Sequence, residues 1–214
     1  MKERNITVTL NKAKEWFNSG NATLKEIALQ AFDKDELTYN FKNITTFKKA
    51  CEALNLDYML CLSNVCNITI ISKASAAMFK LNIIRKALNL GQDLHFIKDP
   101  KNHCIYYPYN PFVTKSSTYY ESEINSDKME VIGKIKSEGE EYNVLGGDAI
   151  DGGFVGLGNF FSGNGVGSAN ASIGFLGCAN KEIAQHFGKY FGMTITEAKY
   201  GDLHDFKIIS RYRE

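Results

Sequence analysis

Apolar residues recur at helical spacing through the first part of the chain, and the spacing predicts a series of short helices. Thr9 is placed to cap a helix through LNKAKEWF, which carries Ala13, Trp16 and Phe17 on one face. Gly20, after Asn18-Ser19, stands at the left-handed stop position. Thr23 followed by Glu26 reads as a capping box ahead of Leu24, Ile27, Ala28 and Ala31, and Asp33 with Glu36 repeats the box for one short turn to Leu37. Thr45 or Thr46 caps a further helix, with Phe47, Ala50, Cys51 and Leu54 facing inward. Residues 57–71 are apolar without clear helical period and gain β-branched residues toward their end, so an extended connection or an insertion is expected there. From Ser72 the pattern predicts the longest helix, with a stripe of Ala74, Ala77, Met78, Leu81, Ile84, Ala87 and Leu88 and a stop at Gly91.

The period then changes to that of strands. Residues 94–97 and 104–109 are short apolar and aromatic runs around Asp99-Pro100-Lys101-Asn102, a β-turn with proline second, and they predict a hairpin. TYYESEI and MEVIGKIK flank Asn125-Ser126-Asp127-Lys128, and EYNVLG follows, which adds at least three strands. Asn180 caps KEIAQHFGKYF, with Ile183, Ala184, Phe187 and Phe191 inward and Gly192 as its stop, and DLHDFKII supplies a last strand. The expected architecture is a single α+β domain over 1–214. A helical subregion spans about 9–91, and a mainly antiparallel β and glycine-rich subregion spans about 93–214.

Residues 146–177 stand apart from both patterns. They hold eleven of the eighteen glycines, no proline, and only Asp148 and Asp151 as charges. Glycine and asparagine space out Phe154, Val155, Leu157, Phe160, Phe161 and Val166, so the run has no core of its own and the largest ordering entropy to overcome. A neighbouring element or another subunit is expected to order it.

Charge and cysteine narrow the picture. Residues 1–92 carry thirteen Lys and Arg against eight acids, a balance of +5, and residues 93–214 carry twelve against sixteen, a balance of −4. The contrast suits docking between subunits and is too mild to argue nucleic-acid binding. Five scattered cysteines in apolar surroundings read as buried free thiols in a reducing compartment. No signal-peptide pattern opens the sequence, and no run of eighteen apolar residues argues for membrane insertion.

Candidate chemistry is sparse. Gly156-x-Gly158 and Gly163-x-Gly165-x-Gly167 lack the strand before and the immediate helix after that a dinucleotide fingerprint requires. Asp148 and Asp151 lack the alternating ligands of a calcium loop and read as turn formers, while His95, His103 and Cys104 lack a fourth zinc ligand. Cys178 and His186 would stand about 12 Å apart along a helix. Glu138, Glu140 and Glu141 read as a solvated turn. No catalytic residue, metal or cofactor is therefore assigned. The remaining signal is a surface rich in Tyr, Gly, Asn and Ser, a composition suited to protein or glycan recognition. Tyr107, Tyr109, Tyr119, Tyr120, Phe154, Phe160, Phe161 and Asn164 are its candidate binding residues.

Two parts of the chain resemble a group of uncharacterised proteins from gut Bacteroidota and their tailed phages, including crAss-like phages. One is the opening block TLNKAKEWFNSGNATLKEIALQAFDKDEL with TFKKACEALNL and KLNIIRKALNLG, and the other is GFLGCANKEIAQHFGKYF. The chain departs from the group in having GFLGC where an arginine-containing segment is more usual, in its longer glycine region, and in its tail beyond Phe191. The resemblance implies a phage or phage-derived gene and a virion-associated role, and it transfers no functional residue. The leading expectation is a non-enzymatic virion protein assembled in the host cytoplasm: a head-surface, fibre or tail component. It would form a homo-oligomer and contact other virion proteins or a host-surface glycan. The alternatives are a small enzyme acting on a polysaccharide or nucleotide through carboxylates near Asp148 and Asp151, and an intracellular adaptor that binds a host protein.

Overall fold

The computed structural model describes residues 8–90, 104–114, 129–154 and 176–213, with the side chains of 11, 35, 104, 105 and 149–154 outside the description. The fold is α+β, with a group of short helices first, then an antiparallel sheet and a C-terminal helix. The chain divides into two compact units, 1–40 and 41–214.

The first unit holds α1 (Leu10–Asn18), α2 (Ala22–Ala31) and α3 (Lys34–Leu37) around buried Ala13, Ala28 and Leu37, with Trp16, Phe17 and Phe32 packed against them. Thr9 caps α1 by accepting from the Lys12 amide, and Gly20 takes the left-handed conformation at φ 75°. The cap of α2 is Asn21 rather than Thr23: its carboxamide oxygen accepts from the amides of Thr23 and Leu24. Asparagine ranks above threonine at this position, which explains a start two residues earlier than the Thr23 box implied. The Asp33–Glu36 box is present, with the Asp33 amide 3.0 Å from the Glu36 carboxylate.

The second unit begins with a single 3-10 turn, Phe41–Asn43, and then α4 (Phe47–Ala53), capped by Thr46. Residues 57–71 correct the sequence reading, because they form neither a strand nor a loop but α5 (Tyr58–Ile71). Asp57 caps it, and Cys61 and Val65 are its buried side. The helical period is invisible in the sequence because the opposite side is also apolar: Met59, Leu60, Ile70 and Ile71 are exposed. Ser72 ends α5 and caps α6 (Lys73–Leu88), where it also meets the Asp202 carboxylate.

Among the described residues, six strands make two sheets: β1 (Cys104–Tyr109) with β5 (Asp148–Phe154), and β2 (Phe112–Val113), β4 (Glu140–Gly146), β3 (Glu130–Ser137) and β6 (Lys207–Arg211) in the order β2-β4-β3-β6. Each of these pairs is antiparallel. The turn joining β3 to β4 is Glu138-Gly139, both at positive φ, which matches the twist of a tight hairpin. Glu138 is a solvated turn residue as expected, whereas Glu140 and Glu141 are exposed strand residues of β4 rather than part of the turn. The proposed hairpin over 94–97, the turn at Asn125–Lys128 and the run 118–124 lie outside the described residues.

The centre of this unit is α7 (Lys181–Tyr200), which Asn180 caps as expected. At 20 residues it is the longest helix among the described residues, exceeding α6 at 16, and it does not stop at Gly192 but runs on to Tyr200. One stripe, Ile183, Ala184, Phe187, Phe191, Ile195 and Ala198, enters the core shared with Leu81, Ile84 and Leu88 of α6 and with Cys51 and Cys61. Met193 enters a second core with Ile132, Ile135 and Val144 of the sheet. A helix buried on two sides needs no polar face, so its apolar residues continue beyond the amphipathic pattern that the sequence suggested would end.

Candidate functional site

The glycine-rich run is flanked by residues that converge on one strand. On one edge of β1, the register pairs Tyr109 with Asp148, Tyr107 with Ile150, Tyr106 with Asp151 and Cys104 with Phe154. The register slips between Cys104 and Tyr106, where Asp151 and Phe154 enclose Gly152-Gly153, and glycine accommodates the extra residue of a bulge. On the other edge, Tyr106 exchanges both backbone hydrogen bonds with Cys178: Tyr106 N–H to Cys178 O at 3.1 Å, and Cys178 N–H to Tyr106 O at 2.9 Å. Tyr106 thus joins the residues before and after the stretch 155–175.

Two buried asparagines brace this strand. Asn110 is 1 % exposed, and its Nδ2 donates to Leu145 O at 2.9 Å and to Gly188 O at 3.0 Å, so one amide ties the end of β1 to β4 and to α7. Asn89, just past α6, accepts from the Ala179 amide at 2.9 Å through Oδ1 and donates to Arg85 O at 2.9 Å. Their placement between backbone segments satisfies groups that would otherwise be buried without partners. Close approach of α7 makes the bracing possible. A Cβ at Gly188 would stand 3.2 Å from Pro108 Cβ, and one at Gly192 would run into Asn110 Nδ2 and Ile132 Cδ1. The four-residue spacing puts both glycines on one face of α7, as a small-residue face that admits strand backbone.

The titratable groups near the strand are held in unreactive forms. Burial pushes the Cys178 thiol up to about 12, against a weaker opposing pull from Asn89 and Arg85, and its S–H lies 3.5 Å from Leu176 O. The sulfur is therefore a neutral packing group at physiological pH. His186 donates from Nε2 to Ile44 O at 2.8 Å between the rings of Phe41 and Tyr190, and burial lowers its pKa, which favours the neutral ring. Tyr107 has its phenol pKa raised by burial. Cys51 and Cys61 are buried thiols, as expected, and burial raises Cys51 to about 12, whereas Cys66 on α5 is exposed, contrary to the reading of the cysteines as buried. Its position on the open side of α5, a helix not foreseen, is the reason.

Of the candidate binding residues, Tyr107 and Tyr109 lie on β1 and are half-buried, Tyr109 packing near Val113, Met129 and Leu145. Phe154 ends β5 opposite Cys104. These three share one two-stranded ribbon. Tyr119, Tyr120, Phe160, Phe161 and Asn164 lie outside the described residues. Asp148 and Asp151 correct the sequence reading: they are strand residues of β5, not turn formers, and Asp148 pairs with Lys181 at 3.9 Å. Among the described residues no group of three His, Cys, Asp or Glu side chains converges as a metal site, and no helix is long and apolar enough to cross a membrane.

No family model, curated protein or solved structure matches this chain. The ribbon therefore has to be read from its own geometry. Asn110, Asn89, Gly188 and Gly192 were missed as bracing residues in the sequence, where the only available signals were the glycine pair at i, i+4 and an asparagine directly before Pro111.

Proposed function

We propose that this chain is a non-enzymatic binding and assembly protein of a phage particle, a head-surface, fibre or tail component. It uses the 146–177 region to contact other copies, neighbouring virion proteins or a host-surface glycan. The observation that supports the reading is the double attachment at Tyr106: β5 on one edge of β1 and Cys178 on the other, both braced by buried asparagines and α7. Fixing the flanks of a Gly, Asn, Ser and Phe sequence lowers the entropy that its binding must overcome while leaving its composition free for adaptable contacts. The neutral, packed states of Cys178 and His186 also favour a structural use of this region. The resemblance of the opening block and of residues 174–191 to proteins of gut Bacteroidota and their tailed phages is what favours the particle as its place.

The test compares the full chain with a variant in which residues 156–174 are replaced by a short Gly-Ser linker. The linker variant is expected to keep its helix content and melting temperature, to fall to a smaller species by light scattering, and to lose binding to particles or glycans. Unchanged assembly and binding would overturn the proposal. Turnover of a polysaccharide or nucleotide by the full chain, abolished by Asp148→Asn, would replace it with the enzymatic alternative.

A further inference from the structure

The exposed side of α5 has a sequence that reads the same in both directions in chemical terms. Reversing the helix about Val65 exchanges Met59 with Ile71, Leu60 with Ile70, and Ser63 with Asn67, so apolar positions fall on apolar and polar on polar. At 100° per residue these six positions occupy one arc, and the reversal maps that arc onto itself about its own centre. An isologous two-fold contact requires this self-complementarity.

Charge and area agree with it. No residue of Tyr58–Ile71 is ionisable as an acid or base of the Asp, Glu, Lys, Arg or His type, so two copies meet without like-charge repulsion. The same reversal sets the two helix dipoles antiparallel. Met59, Leu60, Ile70 and Ile71 are 68 %, 61 %, 85 % and 89 % exposed. Together they expose on the order of 600 Å² per copy, so a pair that covers most of it buries about 1,000 Å², at the lower bound for a specific interface.

We propose that α5 is a homodimer interface, in which two copies pack antiparallel across a two-fold axis through the Ser63–Asn67 face. Met59 and Leu60 of one copy cover the Ile71 and Ile70 of the other, and Ser63 meets Asn67 at the middle, where polar side chains fix the register. The contact uses none of residues 155–175 and does not depend on the role proposed for them.

The experiment uses the full chain and measures mass by light scattering over a concentration series, with Ile70→Asp as the perturbation. Because Ile70 is 85 % exposed, the substitution leaves the melting temperature of the protomer unchanged while placing two unpaired carboxylates in the interface. The dissociation constant of the pair is expected to rise on the order of a hundredfold or more. Register is read by mixing a Ser63→Cys chain with an Asn67→Cys chain, each carrying Cys66→Ser. Mild oxidation should give a covalent dimer far faster in the mixture than in either chain alone, since helices 8–10 Å apart bring facing Cα atoms within disulfide reach. The linker variant lacking 156–174 should cross-link in the same way, which separates this contact from any made by that segment. A chain that stays monomeric at the highest soluble concentration, whether or not it sediments with neutral phospholipid vesicles, overturns the proposal. So does a dimer that Ile70→Asp leaves intact.

Discussion

Gly192→Ala distinguishes two physical roles for one residue. Had Gly192 been the left-handed stop of its helix, alanine would cost about 1–2 kcal/mol of backbone strain whatever residue stood at 110. In the structure Gly192 lies inside α7 against Asn110 and Ile132, and an added Cβ would meet Asn110 Nδ2 and Ile132 Cδ1 far inside van der Waals distance, with Asn110 Cγ at 2.9 Å. Something has to move. If α7 shifts from the sheet, overpacking costs about 1–3 kcal/mol. If Asn110 rotates instead, its amide leaves the Leu145 and Gly188 carbonyls, and each buried group left unpaired costs about 1–3 kcal/mol. After the gain in helix propensity of roughly 1 kcal/mol, the net loss is about 0–2 kcal/mol by the first route and about 1–5 kcal/mol by the second. For a chain of this size each kcal/mol lowers the melting temperature by about 2–4 °C. Thermal and urea unfolding followed by circular dichroism at 222 nm measure it. In an Asn110→Ala background the same substitution should cost about 1 kcal/mol less, because the obstructing amide is gone. A melting temperature that rises with Gly192→Ala would refute the close-packing argument.

The remaining predictions concern titratable groups. Lys199 Nζ is buried with no hydrogen-bond partner among the described residues, and burial lowers its pKa to about 8. The unfolded lysine, near 10.5, binds a proton that the folded one releases between about pH 8 and 10.5, so the native state gains stability from Lys199 as pH rises through that window. Lys199→Met should raise the melting temperature at pH 7 and flatten the difference curve above pH 8; equal slopes for both proteins would count against the assignment. Cys66 is exposed and Cys178 fully buried, so a thiol reagent at pH 8 should modify Cys66 at once and Cys178 only at the rate of unfolding. Mass mapping that found Cys178 labelled as fast as Cys66 would show the Leu176–Cys178 attachment to be open in solution.

Local signals were the most legible part of the sequence. Thr9, Asp33, Thr46, Ser72 and Asn180 announce their helices because a capping side chain acts within three residues of itself. Strands β3, β4 and β6 were readable as the apolar runs MEVIGKIK, EYNVLG and DLHDFKII. What failed was set by tertiary partners. The period of α5 disappears because both of its sides are apolar, and α7 outruns Gly192 because the sheet accepts a glycine face that looks, in sequence, like a terminus. Within the candidate site, the anchoring of β5 and Cys178 to β1 had no counterpart in the sequence beyond the Asn180 cap after the glycine run. The return of Cys178 to Tyr106 couples residues far apart in the chain, and no local pattern carries such information.

The attachment at Tyr106 also bears on how this gene can change. Asp151 and Cys178 occupy opposite edges of a single strand, so their backbones lie about 10 Å apart, two strand spacings. A stretch of chain whose ends are held that close can lengthen at little thermodynamic expense, about 0.6 kcal/mol for each doubling of its length. The folded scaffold is thereby insulated from mutation in the segment it carries. Residues 155–175 form a natural insertion point, where sequence can be exchanged or a foreign peptide displayed while α7 and the two sheets keep their packing.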